Sequence, residues 1–216
     1  MQKFELVLFD LDGTLTDPML GITNSVIYAL EKRGYNVPQR KDILFFIGPP
    51  LIDSFKEYLN VQDEEAQLLV DTYREYFSEK GIFENNVIKG AEELLSALKK
   101  SSIKIALATS KPKVFADRIL EHFNLNGYFD ITVGSNLNGS LTDKADVIAE
   151  VLKHFDKTEK EKIAMVGDRC FDISGAVKNE IIPIGVLCGY GDYKELKTAG
   201  AKYIADTLAD LKDILI

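Results

Sequence analysis

Cysteine is scarce in this chain. Cys170 and Cys188 are the only two in 216 residues, too few for a disulfide framework and without the spacing of a metal knuckle, so both are read as free thiols. Tryptophan is absent, which decides nothing about function. The two histidines, His122 and His154, each fall near the predicted C-terminal end of a helix, where a cation suits the helix dipole. They are read as structural, which leaves no serine–histidine or histidine–metal chemistry. Neither a Walker lysine–serine pattern nor a Gly-x-Gly-x-x-Gly turn occurs, so nucleotide-cofactor binding of those kinds is unsupported. No run approaches the ~20 apolar residues of a membrane helix. The N-terminus passes straight into a strand with no charged-then-apolar export signal, and the expected location is cytoplasmic. Positive charge is lacking too: 26 Lys and Arg against 34 Asp and Glu give a net charge of −8. Nucleic acid, which needs a basic surface to displace counterions, is therefore not an expected partner. A small molecule is, with the chain acting as a monomer or weak dimer and without a membrane.

What is present is enough to bury a full core, with 46% hydrophobic and 28% charged residues, as one domain or one domain carrying an insertion. Strand-like apolar runs recur at 6–9, 103–108, 131–133, 163–166 and 184–187, with a short run at 203–205. Between them lie apolar stripes at three- and four-residue steps: Leu94, Leu95 and Leu98; Phe115, Ile119, Leu120 and Phe123; Val147, Ile148, Val151 and Leu152. Leu208, Leu211 and Leu215 suggest a closing helix. This alternation predicts the α/β class with a parallel sheet.

The segment from Asp17 to about Lys80 departs from the alternation, with helical patterns in succession and no strand. Asp17 reads as an N-cap with Pro18 at the first helical position, followed by a stripe at Met19, Ile22, Val26, Ala29 and Leu30 and a stop at Gly34. A second helix starts near Asp63, with Ala66, Leu69, Val70, Tyr73 and Phe77 on one side and Gly81 after it. Between the two, Gly48-Pro49-Pro50 breaks the pattern. An insertion entering directly after Thr14-Leu15 is a lid candidate.

The chemistry concentrates at strand ends. Leu6-Val7-Leu8-Phe9 reads as a strand covered on both faces, and it delivers Asp10, Leu11, Asp12, Gly13 and Thr14 at its carboxyl end, where ligands of such sheets bind. A carboxylate there can hold a divalent cation and act as a nucleophile, and a second one can serve as acid and base. Gly13 lets the backbone come close to a bound group. An ordinary Asp-Gly turn is the alternative for this motif alone. The strand at 163–166 ends likewise in Gly167-Asp168, with Asp172 four residues on; oxygen-only ligation suits Mg²⁺. The strand at 103–108 ends in Thr109-Ser110 and then what reads as an exposed turn, Lys111-Pro112. Its hydroxyl and amide groups could hold a phosphate oxygen or cap a helix. Asp143 would cap the helix that Lys144 opens, and that lysine taken alone could simply be solvated. Cys170 reads as a loop residue between Gly167 and Asp172, and Gly189-Tyr190-Gly191 as a turn that borders the site or is only a turn.

Asp10-Leu11-Asp12-Gly13-Thr14 resembles motif I of the haloacid dehalogenase superfamily, and the resemblance covers nearly the whole chain. It implies a Rossmann-like, three-layer α/β core over residues 1–15 and 82–216, with an inserted helical cap of the C1 type over 16–81. The Gly48–Leu51 loop and Gly167–Asp172 look like phosphoglycolate phosphatase and 5′-nucleotidase-like members. The resemblance implies a Mg²⁺-dependent phosphatase acting on a small phosphorylated metabolite through an aspartyl-phosphate. Asp10 would be the nucleophile and Asp12 the acid and base. Thr109 and Lys144 would complete the catalytic set, and Gly13, Ser110, Gly48 and Pro49 would join those two in binding substrate. Asp10, the Asp12 carbonyl and Asp168 would hold Mg²⁺, with Asp172 behind them orienting Lys144. Ala145 follows Lys144 where many relatives carry proline. A phosphomutase of the β-phosphoglucomutase kind, a pyrophosphatase and, from another class, a phospho-aspartate signalling module are the rivals. A 2-haloacid dehalogenase is disfavoured by the second aspartate and the Gly-Asp pair.

Overall fold

The structure, a computed structural model, describes residues 3–216; the first two residues of the segment 1–15 lie outside the described residues. The chain opens with β1 (Leu6–Phe9), passes through β2 (Thr16–Asp17), and runs through three helices, α1 (Met19–Lys32), α2 (Leu51–Leu59) and α3 (Asp63–Phe77), to β3 (Asn86–Val87). Helices and strands then alternate: α4 (Ala91–Lys100), β4 (Lys104–Pro112), α5 (Lys113–His122), β5 (Ile131–Ser135), α6 (Lys144–Leu152), β6 (Ile163–Gly167), α7 (Cys170–Lys178), β7 (Ile182–Val186), α8 (Tyr193–Ala199), β8 (Tyr203–Ala205) and α9 (Leu208–Leu215). Two compact units result, Met1–Asp17 with Val87–Ile216, and Pro18–Asn86. No helix among the described residues is long and apolar enough to cross a membrane.

The first unit is built on a six-stranded sheet in the order β5-β4-β1-β6-β7-β8, and every adjacent pair is parallel. β1 lies between β4 and β6, with Phe9 in register with Leu107 and Val166. The four residues of β1 are fully buried, as a strand covered on both faces requires. Leu6 and Leu8 pack with Ala106, Met165 and the α6 stripe of Val147, Ile148 and Val151. From β1 the sheet grows to one side through β4 and β5, then to the other through β6, β7 and β8. The crevice beyond the carboxyl ends of β1, β4 and β6 is thus the topological switch point at which ligands of open α/β sheets bind.

Three local readings change. β4 continues to Pro112 instead of ending before an exposed turn, because a register shift against β5 between Thr109 and Pro112 lets pairing resume at Ser135. Asp17 does not cap α1. It lies in β2, where its carboxylate accepts the Tyr190 hydroxyl, and Pro18 holds the N-cap position without a side-chain cap. The residue before a proline is pushed toward extended backbone, which suits a strand. Cys170 opens α7 and is not in a loop.

In the second unit α1 and α3 bury most of the stripes read from sequence, Ile22, Val26, Ala29 and Leu30 on one helix, with Met19 half-buried, and Ala66, Leu69, Val70, Tyr73 and Phe77 on the other. Their exposed flanks are joined by Arg33–Glu65 at 2.8 Å and by Lys32–Glu75. Phe46 and Phe55 pack edge to face at 4.9 Å beside α2.

Candidate active site

Asp10 follows β1 directly, and its N–H donates to the Val166 carbonyl at 3.0 Å, which continues the ladder one residue past the strand. Its Oδ1 accepts from Lys144 Nζ at 2.7 Å. The same ammonium donates to the Ala108 carbonyl at 3.0 Å and pairs with Asp172 Oδ1 at 2.9 Å. A lysine has three protons and no acceptor, so three oxygens match its capacity. Lys144 is placed by the first turn of α6, whose N-cap Asp143 accepts from Ala145 N at 2.8 Å. Burial works against the Lys144 charge, but Asp10 and Asp172 outweigh it and hold the ammonium well above the usual range.

Asp168 follows β6 and is completely buried. Its Oδ1 accepts from Thr14 Oγ1 at 3.1 Å and its Oδ2 from the Tyr190 N–H at 2.8 Å. Gly13 is needed beside it: its φ is +82°, and a Cβ there would stand 2.3 Å from Asp168 Oδ2. Burial pushes the Asp168 carboxyl up to about 8, with the charges of Asp172 and Asp10 adding to the effect. Burial also raises Asp172, against the opposing pull of Lys144. Asp172 sits in the first turn of α7 and accepts from Arg169 N at 3.1 Å through Oδ2.

Asp10, Asp168 and Asp172 each bring a carboxylate oxygen within 4.8 Å of the other two. The Asp12 side chain is outside this group. Its Oδ2 pairs with Lys111 Nζ at 2.6 Å, while its Oδ1 is buried and takes no hydrogen bond among the described residues. Desolvation raises its pKa in spite of Lys111. Counting charges, four carboxylates (the buried Asp10, Asp168 and Asp172, and the partly buried Asp12) stand with two ammonium groups (Lys111, Lys144), a formal excess of −2. All candidate donors are oxygens. That donor set and that excess fit one hard divalent cation.

Thr109 is buried within β4, where the register shift against β5 begins, and its Oγ1 accepts from Lys111 N at 3.2 Å. Ser110 is half-buried, and its carbonyl accepts from Ser135 Oγ at 2.7 Å. Gly48 and Pro49 lie in the second unit, in the turn before α2, where Gly48 has a φ of +110°. The first unit therefore gathers Asp10, Asp12, Gly13, Lys144, Asp168 and Asp172. Sequence reasoning missed Lys111 and Thr14, and it left the Gly189–Gly191 turn, whose Tyr190 amide reaches Asp168, between bordering the site and being only a turn. Lys111 lies two residues after Thr109, but the register shift against β5 between Thr109 and Pro112 interrupts simple alternation there, so its pairing with Asp12 was not readable from spacing alone. A backbone amide such as that of Tyr190 leaves no side-chain signature. The thiols are not activated; burial raises Cys170 and pushes Cys188 up to about 11.

Residues 7–186 match the haloacid dehalogenase-like hydrolase family. A 5′-nucleotidase of Pseudomonas aeruginosa is 39% identical over 213 residues, covering 99% of this chain and 96% of that protein. The tyrosine-protein kinase PtkA of Mycobacterium tuberculosis is 35% identical over 98% of this chain and 72% of its own. Among solved structures, a predicted phosphatase from Clostridium acetobutylicum superposes with a TM-score of 0.94 at 47% identity, covering 98% of this chain and 97% of that one. With its sheet order, its strand-end carboxylates, the family match and the phosphatase-named relatives in agreement, the chain belongs to the haloacid dehalogenase-like hydrolase family and is a phosphatase of it.

Proposed function

We propose that the chain is a Mg²⁺-dependent phosphomonoesterase of small phosphorylated metabolites, with nucleoside 5′-monophosphates first among the substrates to test. The carrying observation is the different setting of two carboxylates two residues apart. Asp10 lies against Lys144 in the acidic cluster, whereas Asp12 stands apart with one oxygen on Lys111 and the other bare. Pairs of acids held in different environments mark a division of labour. Asp10 attacks phosphorus and the phosphate–ester bond breaks, leaving an aspartyl-phosphate on Asp10, while Asp12 gives its proton to the leaving oxygen. Asp12 then takes a proton from the water that cleaves the acyl phosphate, which releases phosphate and restores both acids. Lys144 steadies Asp10 and balances charge on the phosphoryl oxygens, and the Thr109 hydroxyl and nearby amides, with Gly13 and Ser110, bind those oxygens. A Mg²⁺ ion held by Asp10, the Asp12 carbonyl and Asp168 would supply positive charge that lets a phosphate dianion approach this acidic site. Asp172 orients Lys144. The 5′-nucleotidase relative and the Lys144–Ile148 segment support the nucleotide preference, and two free thiols agree with a cytoplasmic protein.

The reading is tested by phosphate release from a panel of phosphorylated metabolites, ranked by kcat/KM with and without Mg²⁺. Turnover with nucleoside 5′-monophosphates at the head supports it, and the absence of Mg²⁺-dependent phosphate release from any monoester contradicts it. Asp12→Asn should lower kcat/KM for alkyl phosphates about 10²- to 10⁴-fold, but kcat/KM for p-nitrophenyl phosphate, whose leaving group needs no proton, far less. Equal losses on both esters would remove Asp12 from acid catalysis.

The pH dependence of cation binding follows from Asp168. Its carboxyl is raised in the fold from 3.8 to about 8, the reverse of an ion-paired acid. Ionising it therefore costs stability progressively as pH climbs from the unfolded value through the folded one. A cation, which binds the ionised form, offsets that cost. The rise in melting temperature caused by Mg²⁺ should be small at about pH 5 and grow up to about pH 8. A shift independent of pH would mean that Asp168 is not a ligand.

A further inference from the structure

We propose that Lys111 is the positioning residue for Asp12: its ammonium fixes Oδ2 and thereby leaves Oδ1 as the oxygen that exchanges protons with the leaving group and the attacking water. The proposal rests on the phosphomonoesterase reading above and adds a residue to it. Lysines are almost never fully buried without a partner. The Lys111 side chain is 6% exposed and that of Asp12 is 12% exposed, with Nζ and Oδ2 2.6 Å apart. This is far from the solvated, easily screened pairs on the surface of the molecule, such as Lys153–Glu150 at 69% and 38% exposure.

The backbone is shaped to deliver this contact. Between Thr109 and Pro112 the β4–β5 register shifts, and the Lys111 N–H donates to Thr109 Oγ1 at 3.2 Å. Bulges of this kind re-aim side chains next to active sites. The bulge is seated on Gly134, where a Cβ would stand 2.6 Å from the Lys111 carbonyl and 2.9 Å from the Lys113 backbone. A carboxylate has two oxygens and swings freely unless one is tied down. With Oδ2 held and Oδ1 buried and bare, Asp12 presents a single oxygen in a single orientation. Such preorganisation is what a proton transfer within hydrogen-bond reach requires.

The test compares Lys111→Met and the neutral but hydrogen-bonding Lys111→Gln, each alone and combined with Asp12→Asn. The readouts are kcat/KM on an alkyl phosphomonoester and on p-nitrophenyl phosphate, and the inhibition constant of inorganic phosphate. A positioning role predicts a loss of about 30- to 100-fold on the alkyl ester and less than about threefold on p-nitrophenyl phosphate. The phosphate inhibition constant should stay within about threefold, and in the Asp12→Asn background Lys111→Met should cost nothing further, because residues acting as one unit are not additive. Lys111→Gln carries the same comparison if Lys111→Met does not fold. Equal losses on both esters with weakened phosphate inhibition would overturn the proposal and place Lys111 on the substrate's phosphoryl group. Additive losses in the double variant, or full activity in the single ones, would overturn it as well. Asp10→Asn, assayed in parallel, separates the two levels: if it stays active the phosphomonoesterase reading fails, and if it is inactive while the Lys111 pattern is absent only this proposal fails.

Discussion

Asp10→Asn should abolish turnover, lowering kcat by at least about 10⁴-fold, while the protein stays folded with its melting temperature little changed. The amide has the shape of the carboxylate and its Oδ1 can still accept from Lys144, which now lies 2.7 Å from Asp10, so the packing that places the residue survives. What is lost is the nucleophilic oxygen, for which nothing nearby substitutes. Asp168 and Asp172 accept from Thr14, Tyr190 and Arg169, and Asp12 is committed to Lys111. The measurement is single-turnover hydrolysis with active-site titration. Retention of activity within tenfold would end the covalent mechanism and favour direct attack by water.

Lys144→Met should have a large effect on two properties at once. Removing one preorganised donor at a developing charge costs about 3–4 kcal/mol of transition-state stabilisation, or about 10²- to 10³-fold in kcat/KM. The fold should lose about 3–5 kcal/mol as well, because Asp10 and Asp172 would be left buried without their shared cation. Urea unfolding measures the second term, and Mg²⁺ should restore part of it through the same carboxylates. The pH sign is set by the raised folded pKa of Lys144. Its stabilisation is complete below the unfolded lysine value of 10.5 and is lost only as pH rises through the folded one, so the neutral-pH comparison captures the whole effect. Lys144→Arg should not rescue fully, since a planar fork cannot reproduce three oxygens around one nitrogen. A stable, fully active Lys144→Met would show that the charge balance drawn for this site is wrong.

The strands that carry the chemistry were legible because they are buried on both faces. β1 reads as an unbroken apolar run, Leu6–Phe9, and needs no pairing information to be recognised. Asp10 and Asp168 were legible for the same reason, since each is the polar residue that ends or follows such a run. Lys144 taken alone could equally have been solvated and gained its role from the family resemblance, whereas the capping aspartate before it was legible and does cap α6. What stayed hidden depends on partners remote in sequence. Ser110 and Pro112 have the composition of a turn, and the register shift that carries β4 past them is a property of the β5 neighbour. Asp17 has the local signature of a helix cap, but its carboxylate is taken by Tyr190, 173 positions away. β7 begins two residues ahead of the apolar run at 184–187, and Pro183 sits there before the Ile184–Val186 stretch that pairs with β8. The second unit shows the same division. Its long amphipathic helices α1 and α3 were evident from their stripes, while the shorter α2 lacked a stripe long enough to stand out beside Gly48-Pro49-Pro50.

The central claim, that Asp10 carries the phosphoryl group, is tested most directly by trapping it. The enzyme is mixed with a substrate radiolabelled in its phosphoryl group and quenched in acid within one turnover, and the labelled peptide is then identified. The account predicts label on the peptide containing Asp10 and its release by neutral hydroxylamine, as an acyl phosphate requires. Asp12→Asn, in which the water that clears the intermediate has lost its base, should carry more label than the unaltered enzyme. Steady turnover with no acid-stable label in either protein, or label on any residue other than Asp10, would contradict it.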